Sequence, residues 1–305
     1  MKYIHETLDS LFAQDYPNIE IIIVNDGSKD GTLELLRSYG SKIVLVDQAN
    51  TGVSGARNAG IRVAQGAFIG FCDADDLWAP RKVSEQIEYL CKHPTVGMVY
   101  CTWCVWEPSA EGVFVIPEWF DASYGGQEID LTMSGWIYHK LLLGSVCLTS
   151  SVMFRKVVID KVGYFDTRLS SGEDYAYWLR TSRITEIHKL KSSLVLYRIL
   201  PQSLSRTVNN VHHEYDVVLD AIAKWGVLGP NGEFNPRSAM RARFAQMRFD
   251  FGYLHVKSGD TLLAIKAFRD AISQKPFWYL PWVYMIFSLC KWFAYKCQVY
   301  LRRSL

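Results

Sequence analysis

The nonapeptide GFCDADDLW at 70–78 places three carboxylates, Asp73, Asp75 and Asp76, directly after the apolar run AFIGF at 67–71. A short apolar run of this kind reads as a buried strand. Acidic residues at the carboxyl end of a strand lie where open α/β sheets bind ligands. Asp73 and Asp75 are separated by one residue, and two carboxylates so spaced can hold a divalent cation beside a nucleotide. Hard cations take oxygen ligands, and Mg2+ commonly bridges a carboxylate to phosphates. The chemistry this points to is metal-assisted reaction of a nucleotide. The plain alternative is a solvated acidic turn at the start of the next helix.

The elements that must position this turn alternate between strand and helix. Residues 1–15 read as a helix with Ile4, Leu8, Leu11 and Phe12 on one face. IEIIIV (19–24) and KIVLV (42–46) read as strands flanking a helix over 33–39, with Thr32 as its N-cap. A Gly-rich loop, NTGVSGARNAG, opens a helix near Ser54, and Pro80 stands in the first turn of the helix after the acidic turn. GMVYCTWCVW (97–106) reads as a fourth strand, and 107–145, with Trp119, Tyr124 and Trp136, as a loop-rich aromatic insertion. A strand with a short helix is expected over 151–166 and an acidic-started helix over 172–183. Strands alternating with helices predict an α/β fold around a parallel sheet. From about 211 the pattern becomes long helices, which sets the expected boundary between domains 1–210 and 211–305.

Two further loops carry candidate chemistry. In VNDGSKDGT (24–32) the Asp26 carboxylate follows a strand and can accept a hydrogen bond from a pyrimidine N–H, although Asp-Gly is also a common turn dipeptide. In SGEDYAYWLR (171–180) Glu173 and Asp174 begin a helix, where carboxylates also stabilise the helix dipole. Taken in order, IIIVNDGSKDGT, GVSGARNAGI, GAFIGFCDADDLW and SGEDYAYWLR resemble the family 2 glycosyltransferases of the GT-A fold, over about residues 1–205. The resemblance implies a mostly parallel, Rossmann-like sheet flanked by helices. It implies that Asp26 binds the base of a nucleotide-sugar, uracil by preference, and that Arg57 contacts the base or diphosphate. Asp75 would lie on Mg2+ or Mn2+, with Asp73 near the ribose as the second member of the metal-binding pair. Asp174 would be the general base, with Glu173 beside it. Inverting sugar transfer needs one base to deprotonate the acceptor hydroxyl and charge neutralisation on the leaving diphosphate, so the set is chemically sufficient. Trp178, on the same helix, is open to two roles, acceptor-pocket wall or core.

The chain departs from the family pattern twice. The family begins with an apolar strand central to the sheet, whereas Met1 here stands directly before the helix that should follow it. A misassigned start, a truncation or another segment filling the position would each account for this; an unfilled position would leave open sheet edges. In YRILPQSLS (197–205) Leu200 stands where the family has His, leaving Arg198 and Ser203 as diphosphate contacts. These departures motivate one alternative, a catalytically impaired nucleotide-sugar binder. A protein-interaction module built on the helical tail is another.

Composition bounds the rest. The 305 residues are 49% hydrophobic, enough for a substantial core, and the net charge of +2 gives no reason to expect nucleic acid as a partner. Seven cysteines at 72, 91, 101, 104, 147, 290 and 297 show no disulfide-framework spacing, and the lone Cys101-x-x-Cys104 has no second ligand pair. With no secretory signal pattern, a reducing cytoplasm is the expected compartment. Gly252, Gly259, Ala264, Phe268, Ala271 and Pro276 fall at tetratricopeptide-repeat spacing, for one repeat only, which suggests a helical hairpin. From Phe277 onward the chain is aromatic, and Lys291, Lys296, Arg302 and Arg303 fall within an arc of roughly 140° at helical spacing. Two readings of 277–305 stand level: an interfacial helix on an anionic inner leaflet, or a partner packing on 236–274. The expected enzyme therefore moves a sugar to a hydroxyl of a polysaccharide or lipid-linked glycan, in the cytoplasm or peripherally on the inner membrane face.

Overall fold

The computed structural model describes residues 2–122, 127–200 and 209–303; Tyr124 and Ser203 lie outside the described residues. In chain order the first half contains α1 (Ile4–Phe12), β1 (Ile22–Asp26), α2 (Thr32–Ser38), β2 (Val44–Gln48), α3 (Gly52–Val63), β3 (Phe68–Gly70), β4 (Leu77–Trp78), α4 (Lys82–Lys92) and β5 (Val96–Trp106). The aromatic insertion carries α5 (Glu118–Ala122) and α6 (Tyr138–Leu141); β6 (Val152–Arg155), α7 (Lys156–Val162), α8 (Glu173–Thr181) and β7 (Glu186–Arg198) follow. The remainder is helical: α9 (His213–Trp225), α10 (Arg237–Ser258), α11 (Thr261–Gln274) and α12 (Tyr279–Arg303). The chain divides into two units, Met1–Ser203 with Leu228–Glu233, and Leu204–Val227 with Phe234–Leu305.

The first unit holds two sheets. One is the parallel pair β1–β2, in register from Ile22 opposite Val44 to Asp26 opposite Gln48. The other has five strands in the order β3-β6-β5-β7-β4. Only β5–β7 is parallel in it; β3–β6, β5–β6 and β4–β7 are antiparallel. The sheet is thus mixed rather than mostly parallel. Parallel pairing needs a crossover connection, and β4 follows directly from the acidic turn while β6 is reached through the irregular insertion. The central strand β5 is buried from Val96 through Cys101, and Leu90, Val99, Leu194 and Leu196 form the heart of the main core. A smaller cluster of Ile4, Leu8, Leu36 and Ile43 seats α1 and α2 beside the two-stranded sheet. The first helical residue of α2 is Thr32 itself; the cap is Gly31, whose φ of 79° suits glycine.

Among the described residues β1 pairs only with β2, and β3 only with β6. A cavity of about 350 Å³ is lined by Ile21, Ile23, Ala56, Ile69 and Phe71, so both sheets present an edge strand to it. Helix α1 is nevertheless firmly anchored. Gln14 Nε2 donates to Ala79 O (2.9 Å), Gln14 Oε1 accepts from Val83 N (3.1 Å), and Thr7 Oγ1 donates to Ala74 O (3.1 Å). These bonds fasten α1 to the acidic turn and to the start of α4.

In the second unit α10 and α11 form a close hairpin. Asp260 caps α11 by accepting from Leu263 N (3.1 Å), and Ala264, Ala267, Phe268 and Ala271 are buried. Gly252 permits the approach, since a Cβ there would stand 2.8 Å from the Phe268 ring. Helix α12 packs one face on this hairpin, with the Tyr284 ring 5.4 Å from Tyr253 and 5.9 Å from Phe268. The opposite face of α12 is exposed. Gly252→Val should cost about 1–3 kcal/mol, the usual range for overpacking. Circular dichroism should show the helical unit melting several degrees lower; unchanged melting would show that the close approach is dispensable.

Candidate active site

Strand pairing fixes Asp26 first. As the last residue of β1 it lies opposite Gln48, the last residue of β2. Its Oδ1 accepts from Gln48 Nε2 (2.7 Å), Thr51 N (2.9 Å) and Thr51 Oγ1 (3.0 Å). Burial works against ionisation, but these hydrogen bonds outweigh it and hold the carboxyl below its ordinary pKa. Gly27 then turns the chain away with φ 79°, and a Cβ there would meet Asn50 N at 2.9 Å. Nothing local in the sequence marks Gln48 or Thr51; they become visible only once the register of two strands is known.

The acidic turn joins β3 to β4 and is held from three sides. Asp73 N donates to Ser150 Oγ (3.0 Å), and Ser150 Oγ donates to Asp76 Oδ2 (2.5 Å). Asp76 Oδ1 accepts from Arg198 N (3.1 Å). Asp76 is fully buried, and burial together with repulsion from Asp73 pushes its pKa up to about 8. It acts as a mostly neutral anchor at neutral pH. Asp75 is different: it is partly buried and has a pKa raised by burial and by the neighbouring Asp73. With Ala74, Ser28, Lys29, Thr32 and Leu200 it lines a cleft of about 800 Å³.

Arg198, expected at the diphosphate, is 1% exposed. Its Nε donates to Asp75 O (2.7 Å), its Nη2 to Glu6 (2.5 Å), and its guanidinium lies 4.2 Å from the Trp106 and Tyr3 ring centres. It holds the acidic turn from behind, one bond away from the cleft.

Arg57 draws the remaining blocks together. On α3, it donates through Nη2 to Asp73 (3.0 Å) and through Nη1 to Glu173 (2.8 Å). Burial alone would lower its pKa, but the two carboxylates more than offset that and raise it. Asn58, the next residue, makes a two-way clamp on the backbone before α8: Nδ2 donates to Phe165 O (2.9 Å) and Oδ1 accepts from Phe165 N (2.8 Å). Sequence reading passed over Asn58 and Ser150, whose partners lie 107 and 77 residues away. Gly172, in the left-handed region, starts α8 and aims Glu173 and Asp174 at this cluster. Asp174 accepts from Tyr175 N (2.6 Å) and Thr149 Oγ1 (3.4 Å). Burial and the Glu173 charge push its pKa up to about 6, against the pull of Arg57. Trp178 is a core residue, fully buried and stacked on Phe154 at 5.6 Å.

The site therefore offers Asp26, a hydrogen-bonded carboxylate at a strand end, and an acidic turn with Asp75 at a cleft, and Arg57 bridges that turn at Asp73 to Glu173, beside the raised-pKa carboxyl of Asp174. Such a set can accept hydrogen bonds and take up a proton; among the described residues no group of three or more His, Cys, Asp or Glu side chains is arranged to hold a metal ion by itself. A survey of known proteins agrees with that assortment. Residues 1–120 match the profile of Glycosyl transferase family 2. An uncharacterised glycosyltransferase of Rickettsia typhi is 31% identical over 223 residues, covering 73% of this chain and 68% of that protein. Among solved structures, S. aureus TarS (residues 1–349) in complex with UDP-GlcNAc superposes with a TM-score of 0.62 at 21% identity, covering 90% of this chain and 78% of that one. The mannosyltransferase PcManGT of Pyrobaculum calidifontis, in complex with GDP-Man and Mn2+, gives 0.54 at 17% identity, covering 94% and 82%. The structural likenesses establish the fold, and the Rickettsia relative carries the assignment further: this chain belongs to the family 2 glycosyltransferases and has the GT-A fold.

Proposed function

We propose that the protein transfers a sugar from a UDP-linked donor to a hydroxyl of a glycan or lipid-linked acceptor, with inversion at the anomeric carbon and with the help of a divalent cation. The observation that carries this reading is the Arg57 bridge, which ties Asp73 to Glu173, next to Asp174, while Asp75 of the same acidic turn lines the open cleft. The UDP-GlcNAc bound by TarS supports the choice of donor, and the Mn2+ bound by PcManGT the choice of cation.

The residues present suit a cation. Asp75 is partly buried beside the like charge of Asp73, and its pKa is raised for both reasons, so added positive charge would relieve the site. Two carboxylates completed by phosphate oxygens is an ordinary Mg2+ or Mn2+ donor set. When bound, such an ion neutralises charge on the leaving nucleoside diphosphate. Asp26 accepts the N–H of the base, Asp73 holds the ribose, and Arg57 lends positive charge to the diphosphate. Arg198 acts on the same phosphates through the turn it supports. Asp174 takes the proton of the acceptor hydroxyl as its oxygen forms the bond to the anomeric carbon; the bond from that carbon to the diphosphate oxygen breaks, and the electron pair leaves with the diphosphate. Glu173, paired with Arg57, keeps Asp174 at the edge of the cluster.

A second reading rests on Leu200. It lines the cleft with Asp75, and a Leu side chain has no lone pair to offer a cation or a proton to offer phosphate. On that reading the protein binds nucleotide-sugar and turns it over poorly.

Two experiments test the first reading. Asp75→Ala should abolish donor turnover and remove the enhancement of UDP binding by Mn2+ in calorimetry; full activity of the wild type in excess chelator would refute the metal assignment. Asp174→Asn should leave UDP affinity nearly unchanged and slow transfer by about 10²–10⁴-fold. Because the pKa of Asp174 is raised to about 6, the carboxyl is protonated and inactive below that pH. Wild-type kcat/KM should climb about tenfold per pH unit towards about 6 and then level off, and the Asn variant should lack this limb. Equal loss of binding and rate would make Asp174 structural.

A further inference from the structure

Helix α12 carries an apolar stripe on the side turned away from the hairpin it packs on. Tyr279, Trp282, Val283, Ile286, Phe287 and Phe293 are exposed, from 43% at Trp282 to 68% at Tyr279. At 3.6 residues per turn they fall within an arc of roughly 140°. The hairpin face is different, with Pro281 and Ser288 buried and Tyr284 set among Phe249, Tyr253 and Phe268. Lys291 and Lys296 are exposed and stand roughly 110° from the stripe's centre on opposite sides. The same spacing places positions 302 and 303, both arginine, on the two flanks. No Asp or Glu occurs from Phe277 to Leu305.

A surface helix normally turns its polar residues outward. An outward apolar stripe bordered on both sides by cations suits a helix lying in the boundary between lipid headgroups and acyl chains. No helix among the described residues is long and apolar enough to cross a membrane, so the helix would lie in the plane. The cations select anionic headgroups, which attract Lys and Arg near the surface. They also disfavour a second copy of the chain, since stripe-to-stripe pairing would bring two sets of like charges together. We propose that α12 docks this protein on an anionic lipid surface, with the 279–293 stripe at the acyl boundary and Lys291 and Lys296 at the headgroups. The inference rests on the helical unit alone and stands or falls separately from the transfer reaction.

The test uses the full chain and vesicle flotation. The protein should float with vesicles of equimolar phosphatidylglycerol and phosphatidylcholine, much less with phosphatidylcholine alone, and high salt should partly release it by screening. The double variant Ile286→Asp/Phe287→Asp changes only exposed positions; it should keep its circular dichroism spectrum and lose flotation. Lys291→Glu/Lys296→Glu should weaken vesicle affinity by about tenfold or more. Folded wild type that stays with the unbound fraction would overturn the proposal, as would an Asp double variant that floats equally well. A dimer in sedimentation equilibrium that the Asp double variant dissolves, with no vesicle binding by wild type, would assign the stripe to a second copy instead.

Discussion

A single guanidinium sits where three separate parts of the chain must meet. Arg57 reaches from α3 to the acidic turn at Asp73 and to the start of α8 at Glu173, and its side chain is only 12% exposed. Without it, four carboxylates from two segments would crowd one another with no positive charge between them. Burial first, and then repulsion from Asp73 and from Glu173, raises the pKa values of Asp75 and Asp174 respectively. Charge-assisted bonds from a planar fork suit the task, since one arginine can satisfy two carboxylates in fixed directions. Breaking a pair buried on both sides, as Arg57–Glu173 is, typically costs about 3–5 kcal/mol, and the more exposed Asp73 adds less, so the cluster's geometry and its electrostatics depend on the same side chain. A Lys would supply the charge without the fork.

A second layer keeps the first in place. Asp76, Ser150 and Arg198 form a chain of hydrogen bonds from the core sheet to the back of the acidic turn. Asn58 and Gly172 do the same for α8. The result is a division of labour within DADD: Asp76 is sunk into the protein, while Asp75 lines the cleft with the Arg198 charge behind it. One turn thus supplies both an anchor and a reactive edge.

Much of the fold and site could be read from residue order because the signals were local. Apolar runs gave β1, β2, β3 and β5 to within a few residues, and short motifs singled out the Asp-x-Asp pair, Asp26 and Asp174 as candidates. The thirteen-residue β7 was missed. Its sequence, EIHKLKSSLVLYR, follows neither strict alternation nor a continuous apolar run, and its pairing with β5 is broken by register shifts. The expectation of a parallel sheet followed in part from that omission, since β4 takes its antiparallel direction from β7. Gln48, Asn58 and Ser150 carry no local signature, because their bonds span long stretches of chain. Arg198 was assigned to phosphate; its surroundings of aromatic rings and Glu6 could be seen only after folding. For α12 the charge pattern was legible, whereas the coexistence of a packed face and an exposed apolar face was not.

The central claim is a single-base displacement at the anomeric carbon in the Arg57-linked cluster. It can be tested without knowing the acceptor, because water replaces it slowly in donor hydrolysis. Proton NMR of the anomeric signal, recorded in the first minutes after mixing protein, Mn2+ and an α-linked UDP-sugar, reads the configuration before mutarotation erases it. The account predicts that the β anomer appears first. Initial release of the α anomer would contradict it.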